Sequence, residues 1–107
     1  MIPQQTVESV VRHIVERFYP LRITVFGSYA RGDPGPDSDL DLFIEMESTL
    51  SRRERQLAIR ESFSPLTPCP MDLIVYTPEE AEHWGKARAS LVSTVRREGK
   101  VVHERGR

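Results

Sequence analysis

The sequence predicts an α/β fold, or its α+β relative, in which one small sheet is flanked by helices. Three observations point there. The chain has 107 residues, room for one hydrophobic core and not for two. Apolar runs of strand length, rich in Val, Ile and Phe, alternate with stretches whose apolar residues recur at helical spacing. Hydrophobic residues make up 38% and charged residues 29%, the make-up of an ordinary globular protein and not of a disordered one. No repeat or linker interrupts the pattern, so residues 1–107 read as a single domain.

Taken in order, Thr6 to Tyr19 reads as a helix. Val7, Val10, Val11, Ile14, Val15 and Phe18 follow the i, i+3, i+4 spacing of one buried stripe. Thr6 is the expected N-cap, Glu8 suits the first turn near the positive end of the dipole, and Pro20 ends the element. Leu21–Phe26 is β-branched and aromatic, a strand of the buried type. Gly27 to Gly32 is a turn opening a short helical segment. Asp33–Ser38, with Pro34, Gly35 and Pro36, is loop, and Leu40–Glu45 is the second strand.

Ser51-Arg52-Arg53-Glu54 matches a capping box and starts a helix running to about Phe63. Leu57, Ile59 and Phe63 are its core candidates, and Arg52, Arg53, Arg55 and Arg60 leave the rest strongly basic, a solvated face or a partner surface. The prolines at 65, 68 and 70 make Ser64–Pro70 irregular. Met71–Tyr76 is the third strand. Thr77-Pro78-Glu79-Glu80 begins a helix reaching about Glu98, with Gly85 as a weak point near its middle and Gly99 as C-cap. Lys100–Glu104 forms a short edge strand. A helix separates the second and third strands, so they can lie parallel with their starts adjacent. Pattern alone gives no strand order.

Composition excludes several functions. No apolar run approaches the roughly 18 residues of a membrane span. Met1-Ile-Pro-Gln-Gln has neither the basic start nor the apolar block of a signal peptide. The single cysteine, Cys69, cannot form an intramolecular disulfide, and a reducing cytoplasm is the expected location. A formal net charge of −1 gives no electrostatic drive toward nucleic acid.

The chemistry concentrates in Val25–Glu45. Asp39 and Asp41 stand two residues apart at the mouth of a strand, so they project from one face while Leu40, Leu42 and Ile44 point to the core. Two adjacent carboxylates resist joint ionisation unless a cation sits between them. If the second and third strands are parallel neighbours, Asp72 joins them. Three carboxylates then make a hard-oxygen site suited to Mg²⁺, and a pair of such ions suits phosphoryl transfer. The third carboxylate also suits removal of a hydroxyl proton. Gly27-Ser28 adds a tight turn that lets the backbone approach a ligand, with free amides and a hydroxyl for an anion. Arg31 faces phosphates or pairs with a nearby Asp.

Each element also has a plain reading. Asp-x-Asp forms Asx-turns, and Gly-Ser caps ordinary helices. A calcium loop fails because Leu42 and Ser48 stand where Gly and Glu are required. The Lys of a Walker A loop is missing, and so is the Gly-x-Gly-x-x-Gly of a dinucleotide site. His13, His83 and His103 share no ligand spacing and read as surface residues. Cys69 reads as an inert loop thiol, and Trp84 as core or interface.

The combination of Gly27-Ser28-Tyr29-Ala30-Arg31-Gly32, Ser38-Asp39-Leu40-Asp41-Leu42 and Met71-Asp72-Leu73 resembles the minimal nucleotidyltransferases of the DNA polymerase β-like superfamily. The resemblance covers nearly the whole chain. It implies a small mixed sheet with Asp39, Asp41 and Asp72 as metal ligands and catalytic carboxylates. It also implies Gly27, Ser28, Arg31 and Ser38 at the nucleotide, two Mg²⁺ ions, and ATP as substrate. The reaction implied is transfer of AMP from Mg-ATP to a hydroxyl with release of pyrophosphate. The small size resembles the antitoxin half of HEPN–MNT toxin–antitoxin pairs, implying a tyrosine of a HEPN-type ribonuclease as acceptor and a homo- or hetero-oligomer. The alternatives are a non-catalytic module that neutralises its partner by contact, and a transferase acting on a small-molecule hydroxyl.

Overall fold

The structure, a computed structural model, describes residues 1–106. The elements run α1 (Gln4–Phe18), β1 (Arg22–Phe26), α2 (Ser28–Arg31), β2 (Leu40–Glu45), α3 (Arg52–Glu61), β3 (Met71–Tyr76), α4 (Pro78–Gly85), α5 (Leu91–Glu98) and β4 (Lys100–Glu104). The four strands form one sheet in the order β3-β2-β1-β4. β1 pairs antiparallel with β2 and with β4, while β2 and β3 are parallel. The parallel pair is the crossover that the helix between those strands permits. The expected mixed sheet is therefore present, and β4 lies at one edge.

Alternation along β2 divides the core in two. Leu40, Leu42 and Ile44 are fully buried on one face, beneath α1 and α3, with Val7, Val10, Ile14 and Ile59. Phe43 points the other way and packs with Tyr76, Ala81, Val92 and Val95 under α4 and α5. A central strand covered on both faces has to be apolar almost throughout, and the intact run Leu42-Phe43-Ile44 meets that demand. Asp41 lies on the α4/α5 face, at the end where that cover stops.

Several boundaries differ from expectation. α1 starts two residues early: Thr6 and Val7 donate backbone hydrogen bonds to Pro3 O, and Pro3 is the N-cap without a side-chain bond. Thr6 is thus inside the helix, and no acidic residue occupies its first turn. The helix ends at Phe18 on Tyr19, a left-handed cap at φ 49°. In α3 the Ser51–Glu54 capping box forms as read, but the helix stops at Glu61. Its inward row is Arg55 and Ile59, one turn apart, and not Leu57, which is 43% exposed. Arg55 is 5% exposed, because its guanidinium finds acceptors in three directions. It donates to Leu50 O, to Val75 O and to the Glu80 carboxylate at 2.7 Å. The basic surface of α3 therefore consists of Arg52 and Arg53, with Arg60 turned to Met71 O.

The expected long final helix is two. α4 ends at Gly85, and Ser90 caps α5 by accepting from Ser93 N. Gly99 follows α5 in extended backbone, not in the left-handed cap. Cys69 is buried, where burial pushes its thiol pKa up, and Trp84 is 45% exposed rather than core. His13 is not a free surface residue: its ring stacks on Phe63 at 3.9 Å and its Nε2 lies 2.9 Å from Ser62 Oγ. Among the described residues, no helix is long and apolar enough to cross a membrane.

Candidate active site

The site lies where the start of β2, the start of β3 and the end of β1 meet. Leu40↔Met71 and Asp41↔Asp72 are register partners across the parallel ladder, and Phe26↔Asp41 across the antiparallel one. Neighbouring strands run about 4.8 Å apart and paired side chains share a face. Asp41 therefore stands between Phe26 and Asp72, on the face that also carries Phe43. Asp39 precedes β2 by one residue and is exposed, as is Asp72, whereas Asp41 is half-buried. Of the three carboxylates, Asp41 and Asp72 are register partners, and Asp39 lies close enough to act on Asp41 electrostatically.

Electrostatics record the crowding. Asp41's carboxyl is raised above its ordinary value, first by burial, next by the Asp72 carboxylate, and then by Asp39. Arg31 pulls in the opposite direction. Arg31 itself projects from α2 with its Nε 3.4 Å from Asp33 Oδ1, so it holds a nearby acid while remaining half-exposed.

β1 ends in the turn that carries Gly27. Gly27 adopts φ 71°, ψ −150° and is the N-cap of α2, with no side-chain capping bond. Ser28 is the first helical residue and so does not serve as the cap. Ala30 and Arg31 donate to Gly27 O, which leaves the amides of Ser28 and Tyr29 ahead of the first hydrogen-bonded turn. α2 has four residues, so an anion here would be held by these amides and the Ser28 hydroxyl rather than by a long helix dipole. Ser38 serves the loop: its hydroxyl accepts from Gly35 N at 2.8 Å, and its amide donates to Gly35 O.

Sequence reading missed two supports. Tyr29's hydroxyl accepts from Ile2 N at 2.8 Å, tying the N-terminal segment onto α2, and nothing local in the sequence signals that long-range bond. Phe26 stands opposite Asp41 across the β1–β2 ladder, a placement visible only once that register is known.

Among the described residues, no three His, Cys, Asp or Glu side chains are placed so that they could together hold a metal ion. The donor set nonetheless fits Mg²⁺, which takes one or two carboxylates and fills the rest of its octahedron with water and substrate phosphate. Asp41's crowding by two further carboxylates is the condition a divalent cation relieves. The carboxylates sit on an open strand end. A groove of about 430 Å³ runs elsewhere, between α1 and β4, lined by Val7, Val11, Val15 and Val102.

A family model for the nucleotidyltransferase domain matches residues 7–100. The chain belongs to the nucleotidyltransferase family. A protein adenylyltransferase MntA of Thermococcus cleftensis is 30% identical over 79 residues, a stretch covering 70% of this chain and 79% of that protein. A crystal structure from Sulfolobus solfataricus, assigned to the nucleotidyltransferases, superposes over 94% of this chain and 79% of its own at a TM-score of 0.64. At 18% identity that likeness concerns the fold. This nucleotidyltransferase is thus an enzyme of the minimal, polymerase β-like type.

Proposed function

We propose that this nucleotidyltransferase adenylylates a protein: AMP passes from ATP to a hydroxyl, with a tyrosine of a HEPN-type ribonuclease as the acceptor. The observation that carries the reading is the β2–β3 register, which sets Asp72 beside Asp41 at the mouth of the Gly27-Ser28 turn. Asp39, Asp41 and Asp72 would hold Mg²⁺, which would supply positive charge to neutralise the phosphates and the developing charge on the leaving group. Gly27, Ser28 and Arg31 receive the β- and γ-phosphates. Ser38 acts indirectly, by closing the loop that delivers Asp39.

The acceptor oxygen attacks the α-phosphorus. A new P–O bond forms, the bond to the bridging oxygen breaks, and pyrophosphate leaves. Asp72, the exposed partner of the carboxylate pair, takes the acceptor's proton. Most of the rate gain comes from placement and charge stabilisation.

A protein acceptor is favoured by the shape of the site and by a relative named for protein adenylylation. The strand end is open, so the acceptor's own bulk supplies the missing wall. Incubation with α-labelled ATP, Mg²⁺ and a HEPN-type protein from the same source tests it. Label should appear on the partner as an added AMP mass and disappear with Asp39→Ala/Asp41→Ala. No transfer, or transfer that survives the double substitution, refutes the reading.

A further inference from the structure

Gly27 meets two separate demands. Its backbone, at φ 71° and ψ −150°, occupies a region that side-chain-bearing residues essentially do not enter. A Cβ built on it would also lie 2.1 Å from Asp41 Oδ2 and 3.1 Å from Asp41 Cγ. The Asp41 carboxyl group therefore fills the volume that any side chain at position 27 would take. Gly32, five residues on in the same turn-and-helix segment, has φ 83° and nothing within 4 Å of its notional Cβ. The close approach belongs to Gly27 and Asp41, not to the segment at large.

We infer that Gly27 is a positioning residue for Asp41: the space left by its missing side chain seats the Asp41 carboxylate and fixes the direction in which it faces the metal. The inference rests on the reading of the site given above and deepens it. Glycine at this turn then has a task distinct from admitting a phosphate. Pressed by Asp72 and Asp39, Asp41 would otherwise rotate toward solvent to separate the charges. The space left by the missing Gly27 side chain takes the Asp41 carboxyl group and limits this freedom, and a side chain held within a narrow range of geometry is what a metal site requires.

A double-mutant cycle on thermal unfolding in EDTA tests the seat, using Gly27→Ala, Asp41→Ala and the two combined. In both backgrounds the Gly27→Ala effect includes any backbone strain, but only the Asp41 background contains the clash. The Tm loss caused by Gly27→Ala should be smaller, by about 4 °C or more, when Asp41 is already Ala. Equal losses in the two backgrounds overturn the inference. Should Gly27→Ala fail to fold, recovery of folding in the combined variant supports it, and failure of the combined variant overturns it.

A second readout separates positioning from plain structural need. The Mg²⁺ concentration at half-maximal thermal shift, measured with a non-hydrolysable ATP analogue, should rise about tenfold in folded Gly27→Ala and stay unchanged in Gly32→Ala. An unchanged Gly27→Ala midpoint overturns the inference. Coupling in the cycle without any Mg²⁺ response in the wild type would sink the active-site reading and leave the seat standing. Additivity with an intact wild-type Mg²⁺ response would do the reverse.

Discussion

Asp41 has Phe26 across one ladder and Asp72 across the other, with Asp39 two residues behind it. Its folded-state pKa is raised above the ordinary 3.8, so the folded protein favours the protonated form more than the unfolded chain does. That contribution to stability is complete at low pH and is lost as pH rises from about 4 through the raised value. At pH 7 the ionised carboxylate therefore strains the metal-free protein. Asp41→Asn should raise the metal-free Tm at pH 7 and abolish the stabilisation by Mg²⁺, as read by thermal unfolding with and without EDTA; a lower Tm in EDTA would contradict the account. At this scale the sequence was informative about identity and silent about geometry. Asp-x-Asp on a strand announces a shared face, but the closeness of Gly27 to Asp41 comes from a register between β1 and β2 that no local pattern encodes.

α3 shows how tertiary partners override a surface reading. Arg55 looks like one of several solvent arginines, yet it reaches through the α3–β3 layer to Glu80, which simultaneously accepts from Thr77 N to close the α4 capping box. Arg55 first, and Thr77 after it, holds the Glu80 pKa below its ordinary value. Its contribution is present at neutral pH and lost as pH falls below about 4.5 through the lowered value. Glu80→Ala, which strands a buried guanidinium, should cost about 2 kcal/mol by denaturant titration at pH 7. Arg53→Ala on the solvent side of the same helix should change stability by less than about 0.5 kcal/mol. His13 joins α1 to the end of α3 in a similar way. Ser62's hydroxyl donates to Ile59 O, so it accepts from His13 Nε2–H, while Arg17 Nε donates to Nδ1. Burial and then Arg17 depress the His13 pKa. Stability from this contact is present above about 6.5 and falls as pH drops through the lowered value. His13→Gln should flatten the fall in Tm between pH 7 and 5; an unaltered slope would show that His13 carries none of it. Helix starts with a capping box were legible because the signal is four residues long. The ends of α1 and α3 were not, because they depend on Pro3, Tyr19 and the packing of neighbouring elements.

As a whole, the molecule is a sheet whose central strands are covered on both faces except at the end where the aspartates stand. The order of elements was readable from periodicity. The order of strands was not, since the antiparallel β1–β2 and β1–β4 pairs and the parallel β2–β3 pair all come from long-range contacts. Nucleotidyl transfer was legible in the sequence because the motif is spread over three strands, and only a fold that adjoins those strands gives it meaning. The central claim is that this exposed end binds Mg-ATP. Isothermal titration of the wild type with a non-hydrolysable ATP analogue should show saturable binding in Mg²⁺ that EDTA removes and that is lost in Asp39→Ala/Asp41→Ala. Equal binding by the double variant, or wild-type binding indifferent to Mg²⁺, would contradict it.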